Sequence, residues 1–241
     1  MSDPTQDLRS PLQGGFAADE RGAKKLDYWF TVLLTDPVAI PLSRFLARRK
    51  LLTPDQVTIL ALVAGLAAGF CFGYATRWSL ALGGLMFYVA FVLDCVDGKL
   101  ARALKVTSER GKALDALADG GRRAAGSLGI GLYLWSADGR GWGSGTEADV
   151  LWALVYSVLA YYFLEISGAE KDPSATGARG KWSAALGRHR LLPNPGMPDV
   201  QAIVFIFGPL TGLVVPALAT GIAMVVTAIL LTIRRRLRAS R

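Results

Sequence analysis

Apolar stretches alternate with short polar ones along most of the chain after residue 52. Six such stretches are predicted as helices, covering residues 56–75, 78–104, 111–135, 147–167, 199–213 and 215–233. A helix that crosses a bilayer needs about 20 mainly apolar residues, and most of these stretches approach or exceed that length. The pattern therefore predicts an all-α polytopic membrane protein with six transmembrane helices, formed by residues 53–241.

The N-terminal part has a different pattern. Residues 1–25 are polar without the apolar core of a signal peptide, and we expect a mobile cytoplasmic N-terminus. Residues 26–52 form a juxtamembrane segment: a short apolar run that Asp36 and Pro37 are expected to break, then apolar positions interleaved with basic ones. This segment is interpreted as an amphipathic helix lying on the membrane surface. The alternative is a soluble helix packed on the protein.

Composition agrees with a membrane protein and indicates its orientation. The chain is 52% hydrophobic with a mean hydropathy of +0.35, which is too apolar for most soluble domains. Its net charge of +8 comes from residues that flank apolar stretches, which favours anionic lipid over nucleic acid as the partner. Basic residues cluster in 44–50, 105–112, 171–190 and 234–241, whereas the opposite loops hold only Arg77 and Arg140. The positive-inside rule thus predicts that both termini are cytoplasmic.

Four aspartates interrupt the apolar pattern. Asp94 and Asp97 are three residues apart, and Asp115 and Asp119 are four apart, so each pair shares one face of its helix. The short polar run 105–110 makes the two helices antiparallel neighbours, and all four carboxylates are expected to converge. Ionisable residues within membrane segments indicate function, and carboxylate oxygens are ligands for hard cations such as Mg²⁺, Mn²⁺ or Ca²⁺. The sequence therefore predicts a metal site on the cytoplasmic side.

Two small residues beside the first aspartate pair, Gly98 and Ala101, have two interpretations. They remove side-chain bulk, which leaves room for a ligand beside the carboxylates. Small residues spaced along a membrane helix are equally typical of close helix packing. The sequence does not choose between the two.

The pattern D-x2-D-G-x2-A-R-x8-G-x3-D-x3-D, which this stretch contains without departures, resembles the signature of the CDP-alcohol phosphotransferase family. The matching positions are Asp94, Asp97, Gly98, Ala101, Arg102, Gly111, Asp115 and Asp119. The resemblance implies an integral membrane enzyme with six helices, usually a homodimer. It implies transfer of a phosphoalcohol group from a CDP-linked donor to a hydroxyl acceptor, with release of CMP.

The resemblance also implies roles for individual residues. Two divalent cations, Mg²⁺ or Mn²⁺, would be held by Asp94, Asp97 and Asp115, while Asp119 also faces the metals and is the general base. The cytidine and the diphosphate would lie against Asp94, Asp97, Gly98, Ala101, Arg102 and Gly111. The family often has asparagine after the proline that starts the first span, where this chain has Asp55. Helix capping by Thr53 and Pro54 explains that stretch without a role for Asp55 or Thr58.

Four arginines are candidates for binding the acceptor. Arg122 and Arg123 follow Asp119 by one turn, and they either hold an acceptor phosphate or pair with nearby carboxylates. Arg188 and Arg190 are the next candidates, although a basic loop is often a solvated patch that faces lipid headgroups.

The favoured function is phosphatidyl transfer in phospholipid biosynthesis, from CDP-diacylglycerol to a small polar acceptor such as inositol phosphate or glycerol phosphate. The second interpretation is transfer from a CDP-linked polar alcohol to a lipid or polyol-phosphate acceptor, because the motif is common to both. A different class, a non-catalytic membrane cation carrier or lipid-binding scaffold, also places carboxylates in membranes. That class does not explain the glycine, alanine and arginine positions.

Overall fold

The computed structural model of the protein describes residues 23–24, 26–136, 147–167 and 186–239. Most of these residues are in helices. The helices are α1 (Asp36–Arg49), α2 (Pro54–Gly73), α3 (Arg77–Leu104), α4 (Glu109–Ser136), α5 (Glu147–Ser167), α6 (Met197–Thr211) and α7 (Val214–Ala239). Outside the helices, an isolated parallel β-bridge pairs Asp27 with Leu191. The predicted all-α class is confirmed, whereas the predicted mobile N-terminus lies almost wholly outside the described residues.

Three of these helices are long and apolar enough to cross a membrane: α2, α3 and the Val214–Arg234 part of α7. Two shorter apolar helices, Val150–Leu164 and Met197–Thr211, lie in the positions predicted for the fourth and fifth spans. Large apolar side chains such as Phe70 and Trp78 are exposed on the outer helix faces, as expected where lipid surrounds the protein. The described part of the chain thus has the character of an integral membrane protein.

Local sequence signals set the starts of α2 and α3. The Thr53 hydroxyl accepts a hydrogen bond from the Gln56 amide, and the Gln56 side chain accepts one from the Thr53 amide. Thr76 and Ser79 form the same reciprocal arrangement before α3. Both capping boxes satisfy amides that have no partner within the helix. The predicted cap at Thr53 and Pro54 is confirmed.

Helix α2 lies between the two helices that carry the aspartates. It packs closely against both α3 and α4, while α3 and α4 approach each other at few positions. The α2–α4 contact is a backbone contact, because a side chain on Gly69 would overlap the Ala125 carbonyl and one on Gly129 would overlap the Gly69 carbonyl. The prediction that the short connection makes α3 and α4 antiparallel neighbours therefore fails over most of their length, because glycine lets α2 approach α4 closely and lie between them.

The predicted break at Asp36 and Pro37 is also wrong. A π-helical turn, Thr31–Thr35, leads directly into α1, and the Asp36 amide donates to the Thr31 carbonyl. Pro37 directly follows this π-helical turn, where the regular hydrogen-bond pattern of the helix is already interrupted, so its missing N–H costs little. Ala39, Ser43 and Leu46 form the buried face of α1, which packs on α3. The opposite face exposes apolar and basic side chains: Val38, Phe45, Arg44, Arg48 and Arg49.

Candidate metal and nucleotide site

Three of the four predicted carboxylates come together at one point. Asp94 and Asp97 lie in the second half of α3 and Asp115 in the second turn of α4, and one oxygen from each lies within 4.8 Å of the others. Oxygens that bind one hard cation at about 2.0–2.5 Å are separated by about 3–5 Å, so this spacing fits a shared divalent ion. The donor set is all carboxylate oxygen, which suits Mg²⁺ or Mn²⁺. The predicted convergence is correct for these three residues.

Asp97 is held in place by a residue to which the sequence assigned no role. The Thr58 hydroxyl, on α2, donates to Asp97 Oδ2 at 2.5 Å, and both side chains are buried. A hydrogen bond of this kind fixes the orientation of a carboxylate that binds metal. The position of α2 between α3 and α4 makes this contact possible, and no sequence pattern indicates it.

Asp119 lies one turn further along α4 and is not part of the three-carboxylate cluster. Its two oxygens form ion pairs with Arg122 Nη2 and, at 3.4 Å, with Arg123 Nη1. Arg122 Nη2 also lies 3.0 Å from Asp94 Oδ1, so it links Asp119 to the cluster. Both arginines therefore pair with carboxylates, one of the two interpretations that the sequence allowed. The base role of Asp119 stays a prediction.

The glycines of the motif differ from the glycines that pack helices together. The nearest atom to a side chain added at Gly98 is the end of the flexible Arg102 guanidinium, 3.3 Å away. At Gly111 the neighbours are Ser108 Oγ and Asp55 Oδ1, at 3.2 and 3.6 Å. Neither glycine meets the backbone of another helix. Gly98 and Gly111 consequently leave space beside the carboxylates, and both Ala101 and Arg102 are partly exposed on the same stretch of α3.

A second cluster of charges, outside the motif, joins the N-terminal segment to α3. Asp36 is buried and pairs with Lys99 Nζ at 2.8 Å and with Arg190 Nη2 at 3.0 Å. Lys99 is itself buried and directly follows Gly98. Arg190 also donates to the Lys24 carbonyl. The sequence pattern does not indicate this network, because Asp36 stands at a predicted helix break and is far from Lys99 and Arg190 in the chain.

Backbone pairing strengthens the same junction. The Asp27 amide donates to the Arg190 carbonyl at 2.9 Å, and the Leu192 amide donates to the Asp27 carbonyl at 3.0 Å. Arg190 has φ +63°, a left-handed conformation that costs an arginine free energy unless surrounding contacts hold it. Arg190 thus contacts the N-terminal segment through both its side chain and its backbone, whereas the Arg188 side chain is exposed.

A model of the family described as CDP-alcohol phosphatidyltransferase matches residues 51–187. The chain is 38% identical over 111 residues to the phosphatidylinositol phosphate synthase of Streptomyces avermitilis, covering 46% of this chain and 41% of that protein. It is 34% identical over 164 residues to the bifunctional IPC transferase and DIPP synthase of Rubrobacter xylanophilus, covering 67% of this chain and 32% of that protein. The matched region therefore spans less than half the length of these curated relatives.

Solved structures share the fold. The crystal structure of Mycobacterium tuberculosis phosphatidylinositol phosphate synthase with CDP-DAG bound superposes with a TM-score of 0.57 at 23% identity, covering 83% of this chain and 92% of that chain. The same enzyme in complex with manganese and citrate gives a TM-score of 0.55 at 24% identity, covering 82% and 87%.

Proposed function

Because the chain belongs to the CDP-alcohol phosphatidyltransferase family, we propose that it is a metal-dependent transferase acting on CDP-diacylglycerol. It moves the phosphatidyl group to a small polar alcohol such as inositol phosphate or glycerol phosphate and releases CMP. The observation that carries this proposal is the gathering of Asp94, Asp97 and Asp115 within 4.8 Å, beside the space left by Gly98. Relatives named as phosphatidylinositol phosphate synthases support the choice of donor and acceptor.

The residues fit direct transfer without a covalent intermediate. Asp94, Asp97 and Asp115, with Asp119 beside them, would hold two divalent cations, Mg²⁺ or Mn²⁺, which supply neutralisation of the phosphate charge during transfer. The acceptor oxygen attacks the phosphorus that bears the diacylglycerol, and the bond from that phosphorus to the oxygen of CMP breaks. Asp119 accepts the proton of the acceptor hydroxyl. The cytidine and the diphosphate lie along α3, against Gly98, Ala101 and Arg102, with Gly111 opposite.

We expect the acceptor to bind the arginines that are least engaged by other groups of the protein. Among the four candidates, Arg122 is buried in its ion pairs, and Arg190 is held by Asp36 and the Lys24 carbonyl. Arg123 has one longer ion pair with Asp119 and is about a quarter exposed, and Arg188 is exposed. We expect Arg123→Gln and Arg188→Gln each to raise the acceptor KM about tenfold with the donor KM unchanged, because a charge-assisted hydrogen bond contributes about 1.5–3 kcal/mol. Steady-state kinetics with each substrate varied would measure this, with exposed Arg49→Gln on α1 as the control. An unchanged acceptor KM in both variants would contradict the acceptor role.

The topology proposed for this enzyme has six spans, formed by α2 to α7, with both termini and the site at the cytoplasmic face. Residues 53–241 are the membrane domain, residues 26–52 lie at the membrane surface through α1, and residues 1–25 precede them. The orientation is supported by the basic residues of segments 44–50 and 105–112 at the end of the helices that carries Asp94 and Asp97. Arg77 lies at the opposite end of α3, where it donates to the carbonyls of Pro209 and Leu210. The working unit is a homodimer, as in the family.

The decisive experiment measures CMP release by the purified protein with Mg²⁺ or Mn²⁺ across a panel of donors and acceptors. Release from CDP-diacylglycerol with inositol phosphate or glycerol phosphate is the expected result. Release only from a CDP-linked polar alcohol would favour the second interpretation, in which a lipid or polyol phosphate is the acceptor. No release from any CDP-linked donor would favour a cation carrier or lipid-binding scaffold.

The two kinds of glycine give a further test. Gly98→Ala is expected to lower CMP release at least about tenfold with little loss of stability, because the added methyl meets only a flexible guanidinium and fills the nucleotide space. Gly69→Ala is expected to destabilise the protein by about 1–3 kcal/mol or more, because its methyl overlaps the backbone of α4. Thermal denaturation in detergent, measured beside activity, separates the two effects. Equal stability losses would contradict the distinction.

A further inference from the structure

Arg122 is the largest of the fully buried side chains in the described part of the protein, although it carries a charge. Helix α2 makes room for it, because a side chain on Gly65 would bring its first carbon within 2.5 Å of Arg122 Cγ. Arg122 Nη1 donates to the Ala90 carbonyl at 3.1 Å, and the guanidinium lies over the Phe91 ring, 5.8 Å from its centroid. Three helices thus contribute to one enclosure for this cation.

The other guanidinium nitrogen of Arg122 faces two carboxylates of the motif. Nη2 lies 3.0 Å from Asp94 Oδ1 on α3 and forms an ion pair with Asp119 one turn back on α4. A buried guanidinium without such partners would be strongly unfavourable, so Arg122 and the two carboxylates stabilise one another. With 2% of its side chain exposed, Arg122 has no surface left for an acceptor.

We propose that Arg122 is a positioning residue, a permanent counter-cation that holds Asp94 and Asp119 in their catalytic arrangement before divalent ions bind. This inference rests on the proposed function, since it assigns Arg122 to the same site. The three clustered carboxylates and Asp119, one turn further along α4, repel one another, and a fixed positive charge offsets part of that repulsion. The same charge also repels an incoming cation. Arg122 therefore keeps the site assembled and keeps its affinity for divalent ions lower than the carboxylates alone would give.

Opposite effects on ion binding and on turnover distinguish this role from a purely structural one. In Arg122→Met the carboxylates lose the competing cation, and we expect Mn²⁺ to bind about tenfold more tightly. Turnover is expected to fall at least about 100-fold, because Asp119 is no longer held beside Asp94. General damage to the fold would instead weaken Mn²⁺ binding and turnover together.

The experiment uses the full-length protein purified in detergent, with Mn²⁺ affinity measured by electron paramagnetic resonance in the absence of any donor. Arg122→Lys is the matched control, since it keeps the charge, and its Mn²⁺ affinity is expected to stay close to that of the unmodified protein. If Arg122→Met fails to fold, Arg122→Gln is the second neutral variant, because the glutamine amide can still donate a hydrogen bond to the Ala90 carbonyl. Thermal denaturation with and without EDTA is the third measurement: removing metal should lower the Tm of the neutral variants more than that of the unmodified protein.

Two results would overturn the role of Arg122: a folded neutral variant that binds Mn²⁺ no more tightly, or one with undiminished turnover. The failure of the proposed function looks different. A protein that binds Mn²⁺ but releases no CMP from any CDP-linked donor would refute the transferase, while the Mn²⁺ affinities would still decide whether Arg122 competes with metal.

Discussion

Asp115→Asn is expected to lower CMP release at least about 10³-fold and to weaken Mn²⁺ binding. Asp115 is the residue of α4 in the three-carboxylate cluster, so its loss leaves that cluster with Asp94 and Asp97 of α3 alone. Metal-based charge stabilisation is worth several kcal/mol in a transition state, and each 1.36 kcal/mol is about a factor of ten in rate. The rate assay and electron paramagnetic resonance with Mn²⁺ measure the two effects.

Glu109→Gln provides the matched control for Asp115→Asn. Glu109 lies on the same helix and is exposed, pairing with Lys112 at the surface. Glu109→Gln also removes one negative charge from α4, but it should leave turnover and Mn²⁺ affinity nearly unchanged. Near-normal turnover in Asp115→Asn would remove this residue from the metal site. Asp115→Asn is expected to weaken Mn²⁺ binding, whereas Arg122→Met is expected to strengthen it. Comparing the two variants therefore distinguishes a residue that binds the metal from a cation that competes with it.

Asp36→Asn is expected to produce the largest loss of stability, about 3–5 kcal/mol, because it leaves the buried ammonium group of Lys99 without its counter-charge. Lys99→Met should cost less, since Arg190 still pairs with Asp36. In the double variant Asp36→Asn/Lys99→Met no unpaired charge remains buried between α1 and α3. The double variant should therefore be more stable than Asp36→Asn alone, as a double-mutant cycle would report.

Equilibrium unfolding in mixed detergent measures these differences, and Mn²⁺ affinity serves as a check that the cluster at Asp97 stays intact. If the two substitutions simply add, so that the double variant is the least stable, Asp36 and Lys99 do not act as a pair. A loss of Mn²⁺ binding in the double variant would show that the Asp36 network also supports the metal site.

Much of the site follows from spacing alone. The intervals between Asp94 and Asp97 and between Asp115 and Asp119 define one face on each helix, and the short connection between the helices brings those faces to the same end of the molecule. The family signature, the helix cap at Thr53 and the apolar stretches are equally local features. These were predicted correctly because a helix repeats every 3.6 residues whatever it packs against.

The placement of α2 between α3 and α4 was decided only by tertiary packing. Gly65, Gly69 and Gly129 allow the close approach, which brings Thr58 to Asp97 and encloses Arg122. The pairing of Asp36 with Lys99 likewise joins residues that are far apart in the chain. The sequence by itself determined which side chains share a helix face, because that depends on backbone geometry alone. It did not determine which helix covers that face, because that depends on how surfaces from separate segments fit together and neutralise one another's charge.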